Sequence, residues 1–100
     1  MKMSDDILMP LREIIDPELG VNIVDLGLVY RAACTSDGIE VALIMTSPSC
    51  PLGEMLVDQA EQALRDCFPE TSSIRVELVR DTPWSPDRMS EEGRRQLGLR

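Results

Sequence analysis

Hydrophobic and polar positions along this chain change period several times, and each change marks an element. Ile7, Leu8, Leu11, Ile14 and Ile15 recur with the 3.6-residue period of a helix, and Ser4, Asp5 and Asp6 stand where an N-cap is wanted. Pro10 either begins the regular part of that helix or kinks it. Asp16-Pro17 is expected to stop it, because a residue ahead of proline is pushed out of the α region. From Ile23 to Cys34 the chain is rich in Val, Ile, Leu and Tyr, which predicts a strand. Thr35-Ser36-Asp37-Gly38 supplies turn chemistry, and Ile39 to Thr46 forms a second apolar run, so the pair predicts a β-hairpin.

A longer helix is expected from about Pro51 to Asp66. Proline suits its first turn, Leu52, Met55, Leu56, Ala60, Ala63 and Leu64 form a stripe, and Glu54, Asp58 and Glu61 recur on another side. Ile74, Val76 and Leu78 alternate with Arg75 and Glu77, the pattern of a strand with one buried face. The tail from Ser90 reads as a short capped helix, acidic at its start and basic at Arg94 and Arg95. The order α-β-β-α-β(-α) predicts a two-layer α+β fold. Its small three-stranded sheet contains the hairpin and one right-handed crossover, with the helices on one face. A length of 100 residues and 43% hydrophobic content suit a single domain over residues 1–100.

That topology carries a geometric expectation. The start of the first strand, near Asp25-Leu26-Gly27, lies opposite the end of the second, near Thr46-Ser47. The third strand runs with the second and delivers Asp81-Thr82-Pro83-Trp84-Ser85-Pro86 to the same end. The stretches DPELG, VDLG, TSPSCP and DTPWSP are thus expected at one edge.

Charge narrows the function classes. A formal net charge of −8 repels phosphate backbones and anionic membrane surfaces, so neither nucleic acid nor membrane is expected as a partner. The N-terminus MKMSDDILMP has acids where a secretion signal carries a basic head, and a cytoplasmic protein is expected. Three cysteines make an odd count for a disulfide framework, and the chain has no histidine, the commonest general base and a common metal ligand.

Cys50 sits between prolines in SPSCPLGE at the mouth of the long helix. A cysteine is more often a small buried hydrophobe. At a helix start, however, unpaired N–H groups stabilise a thiolate, as at reactive and ligating thiols. As a nucleophile it would want a histidine. As a ligand it suits iron or zinc but leaves an incomplete shell, so a metal would be weakly held, transient or shared. Cys34 and Cys67 are each expected about 24 Å away, along a strand and a helix respectively. The other ligands would then be carboxylates of this chain or groups from a second chain.

Asp16 and Glu18 read first as helix termination and turn capping. Asp25, in an apolar strand start, must find donors or a cation; the Thr46 hydroxyl and the helix-start amides are the candidate donors. Trp84, framed by Pro83 and Pro86, either lids the core edge or presents itself to a partner, since tryptophan is enriched at binding hot spots.

The stretches DPELGVNIVDLGLVY, MTSPSCPLGEM and DTPWSPDRMSEEGRRQLGL together resemble the SufT/PaaD-type metal–sulfur cluster assembly domain. The likeness covers nearly the whole chain, and the C-terminal run looks closest to the SufT branch. It implies a non-enzymatic accessory factor for iron–sulfur cluster assembly or delivery, with the assembly machinery and apo client proteins as partners. The motif cysteine falls on Cys50, the DPE acids on Asp16 and Glu18, the strand aspartate on Asp25 and the threonine on Thr46, with Ser47 and Pro51 supporting the loop. The cofactor expected is iron or an iron–sulfur cluster, transient or shared, with none tightly bound by one chain alone. A homodimer would bring two copies of Cys50 together. The alternative is an interaction module that docks partners through the Trp84 loop without metal or thiol chemistry.

Overall fold

The structure, a computed structural model, describes residues 5–17, 19–36, 38–45, 53–80 and 82–98. It runs from α1 (Asp5–Leu11) through the strands β1 (Val29–Thr35) and β2 (Gly38–Leu43) to α2 (Gly53–Cys67) and β3 (Ile74–Leu78). A 3-10 turn (Pro86–Arg88) and α3 (Glu91–Gln96) follow. The three strands form one sheet in the order β1-β2-β3. β1 pairs antiparallel with β2, and β2 pairs parallel with β3, as the α+β reading requires.

The hairpin closes where the turn chemistry stands, with Thr35 opposite Gly38. The Thr35 side chain braces this turn, its hydroxyl accepting from the Gly38 N–H at 3.1 Å. A bulge between Val29 and Arg31 shifts the register. It puts Tyr30 on the surface while Val29 and Ala32 both stay buried. The parallel pair sets Val41 beside Val76 and Leu43 beside Leu78. Onto this apolar face α2 brings Leu56, Ala60 and Leu64, spaced so that all three are fully buried. Burying each leucine contributes about 1.5–3 kcal/mol. α1 packs on α2 and β1 through Ile7 and Leu11. Arg31, Glu40, Arg75 and Glu77 lie around Ala42 on the other face of the sheet, where Arg31 and Glu40 pair at 3.4 Å.

Two expected elements are corrected. The first helix ends at Leu11 and does not continue to Ile15. Arg12 N–H still reaches back to the Leu8 carbonyl, but beyond it the chain tightens into i→i+3 turns, with Glu13 N–H donating to the Pro10 carbonyl and Ile14 N–H to that of Leu11. Ile15 instead makes an isolated antiparallel bridge to Asn22. The first strand begins at Val29 rather than Ile23. Residues 23–27 form a turn, closed by Leu26 N–H donating to the Asn22 carbonyl and Leu28 N–H to that of Ile23. Ile23, Leu26 and Leu28 are nevertheless fully buried, so the apolar run fills the core from a helical turn instead of a pleated strand.

Candidate functional site

The turn at 22–27 is built by a pair three residues apart. Asn22 Oδ1 accepts from the Asp25 N–H at 2.9 Å, as a helix N-cap does, and Asn22 Nδ2 donates back to Asp25 Oδ2 at 2.6 Å. The second carboxylate oxygen, Oδ1, accepts from the Ser90 hydroxyl at 2.8 Å. Both oxygens of this buried group therefore have donors, which removes the desolvation penalty that an unpartnered carboxylate would carry. Neither of these donors was named from sequence. Asn22 and Ser90 serve Asp25, and Thr46 lies outside the described residues.

Ser90 is tied to Asp25 a second time, its N–H donating to the Asp25 carbonyl at 2.9 Å. Its hydroxyl oxygen also accepts from the Gly93 N–H at 3.0 Å and so caps α3. Gly93 packs so closely that a Cβ there would lie 2.5 Å from the Asp25 carbonyl oxygen. Gly27, at φ 78°, faces the Arg88 backbone, where a Cβ would overlap the Arg88 carbonyl.

Trp84 closes the same edge. Its indole Nε1–H donates to the Leu26 carbonyl at 2.6 Å, and the partly buried ring packs against the core. Pro83 and Pro86 flank it on the surface. The Arg88 guanidinium sits 5.5 Å from the Tyr30 ring centroid, a cation–π contact that joins the 3-10 turn to β1.

Asp16 is buried within the first acidic turn. Its Oδ1 accepts from the Leu19 N–H at 3.3 Å, while Gly20 N–H donates to the Asp16 carbonyl and Asp16 N–H to that of Val21. This is the turn-capping role that aspartate favours. The bridge from Ile15 to Asn22 then joins this turn to the Asp25 turn. DPELG, VDLG and the tryptophan loop therefore meet, as far as their described residues go. Glu18, Thr46, Ser47, Cys50 and Pro51 lie outside the described residues. Met45 and Gly53, on either side of that stretch, adjoin each other at the ends of β2 and β3, where a Cβ on Gly53 would lie 3.4 Å from Met45 Sδ and 2.8 Å from Leu78 Cδ2. Glu54, Asp58, Leu78 and Arg80 line an open hollow of about 430 Å³ there. Cys34 and Cys67 are exposed free thiols, beside the hairpin turn and at the C-terminal end of α2.

Sequence reasoning missed Asn22 and the part Ser90 plays toward Asp25. The signal for the first was present, since Asn22 and Asp25 have the spacing of a capping pair. Ser90 is 65 residues from Asp25, and no local pattern links them.

These residues define a small α+β fold that gathers a buried carboxylate network and a proline-framed tryptophan on loops at one end of a mixed sheet. The chain belongs to the iron–sulfur cluster assembly protein family, whose model matches residues 4–78. It is 39% identical over 98 residues to the Fe–S protein maturation auxiliary factor YitW of Bacillus subtilis, covering 97% of this chain and 95% of that one. It is also 39% identical over 87 residues to the Fe–S protein maturation auxiliary factor SufT of Staphylococcus aureus, covering 86% and 98%. Among solved structures, a domain of unknown function from Bacillus anthracis superposes with a TM-score of 0.87 at 37% identity, over 96% of this chain and 92% of that one. Among the described residues, no helix is long and apolar enough to cross a membrane.

Proposed function

We propose that this protein, working as one domain in the cytoplasm, is a non-enzymatic accessory factor that helps assemble iron–sulfur clusters or deliver them to apo client proteins. The observation that carries the reading is the 39% identity, along nearly the full length of both chains, to a factor named for Fe–S protein maturation. In this reading Cys50 contacts the metal or cluster, which is cargo and not a resident group. A single thiolate leaves positions open for a client, an assembly protein or a second copy of the chain, and such a site releases what it holds. Glu18, with Thr46, Ser47 and Pro51, would shape the surroundings of that thiol. Asp16 and Asp25 would act mainly by holding the adjoining turns, because each already accepts hydrogen bonds within the fold.

The test is maturation of a cluster-dependent enzyme in cells lacking this protein. Wild type is expected to restore the client's activity and Cys50→Ala to fail; full rescue by Cys50→Ala would sink the thiol role. Anaerobic reconstitution with iron and sulfide, read by absorption spectra and metal count for both forms, separates cargo binding from a role without metal.

A second reading is favoured by the surface position of Pro83 and Pro86 around a partly buried Trp84. Here the loop docks partners and Cys50 only packs. It predicts that Trp84→Ala loses a known partner in a pulldown while Cys50→Ala keeps both partner and function.

A further inference from the structure

At the far end of α2 from Gly53, about 20 Å along the helix axis, the fold leaves a groove between α1 and the end of α2. It is open to solvent and holds about 490 Å³. Met9, Ala63 and Phe68 contribute its apolar surface, and Met9 is 66% exposed, the most exposed of the large apolar side chains among the described residues. Such exposure on a helix that buries Ile7 and Leu11 so completely is not required for folding. Asp6, Glu13 and Asp66 line the same groove, and no basic side chain does among the described residues.

We propose that this groove docks a segment of a partner protein in which one or more long apolar side chains are flanked by lysine or arginine. Charge complementarity selects this occupant. Three carboxylates around an apolar surface attract cations and repel acidic segments, and the chain's net charge of −8 extends that field. An identical copy of the chain would bring the same three carboxylates and the same net charge, so a second copy is disfavoured. The methionine suits the role, because its unbranched, polarizable side chain adapts to partners of differing shape. The proposal concerns a different face from the Asp25 and Trp84 edge and does not depend on what Cys50 does.

The experiment is a titration of 15N-labelled protein with three synthetic peptides of one length. One alternates leucine and lysine at helical spacing, one replaces the lysines by glutamate, and one replaces the leucines by glutamine. The leucine–lysine peptide is expected to give saturable shifts confined to residues 6–13 and 63–68, with binding at least 10-fold tighter than for either control. Met9→Glu is expected to weaken binding about 10-fold or more, and the triple change Asp6→Asn, Glu13→Gln and Asp66→Asn about 10-fold with a shallower salt dependence. Met9 is exposed, so its variant keeps the fold, which the unperturbed remainder of the spectrum checks. Equal binding of the glutamine control, shifts spread over the acidic surface, or preference for the glutamate peptide would each overturn the proposal. So would a concentration-dependent dimer whose interface contains Met9, which would make the occupant a second copy.

Discussion

Ser90 reaches across the fold to Asp25 and holds it twice, through its hydroxyl to the carboxylate at 2.8 Å and through its N–H to the backbone carbonyl at 2.9 Å. The same hydroxyl caps α3, so one side chain fastens the C-terminal segment to the turn that precedes β1. Removing it leaves a buried carboxylate oxygen and a helix start without partners together.

Ser90→Ala is therefore expected to lower stability by about 2 kcal/mol, the sum of a lost cap and a lost charge-assisted hydrogen bond. Ser90→Thr keeps the hydroxyl and is expected to recover most of it. Urea unfolding of the three proteins, followed by circular dichroism, measures the difference. A loss below a few tenths of a kcal/mol would mean that water replaces the serine at no cost.

Asp25→Asn keeps one acceptor oxygen but puts an NH2 in place of the other, so either Asn22 Nδ2 or the Ser90 hydroxyl loses its acceptor. A loss of about 1–3 kcal/mol is expected. Trp84, the one tryptophan in the chain, should report it directly. Its emission is expected to shift to the red as the segment from 82 to 98 loosens, before the bulk of the helix signal is lost.

Trp84→Phe retains an aromatic ring on the core but deletes the N–H that serves the Leu26 carbonyl. The expected cost is about 1 kcal/mol. Trp84→Ala removes the ring as well and should cost about 3 kcal/mol. Calorimetric Tm values for both would separate the hydrogen bond from the packing.

Gly27 and Gly20 both have positive φ, 78° and 72°, but only Gly27 is crowded, by the Arg88 backbone. Gly20→Ala is expected to cost about 1 kcal/mol from backbone conformation alone. Gly27→Ala carries that term and also pushes the 3-10 turn away, so it should cost at least twice as much. Equal costs, measured by denaturant unfolding, would show that the C-terminal segment is not seated as described.

Several elements were legible because their cause is local. The stripe of α2, the alternation of β3, the turn at Thr35 to Gly38 and the cap at Ser90 each rest on residues within a few positions of one another. The parallel pairing of β2 with β3 followed from a helix lying between them. Even the meeting of the Asp25 turn with the Trp84 loop could be inferred, since strand directions alone bring those ends together.

The chain by itself thus determined α2, β2, β3, α3 and the turn at Thr35 to Gly38, because periodicity, caps and turn residues act over short separations. Tertiary structure decided the rest. It made 23–27 a turn although its apolar run suits a strand equally well, because burial of Ile23, Leu26 and Leu28 depends on where the core lies and not on local propensity. It also chose Asn22 and Ser90 as the donors of Asp25, since a buried carboxylate takes whichever donors the folded chain brings within about 3 Å, however distant in sequence.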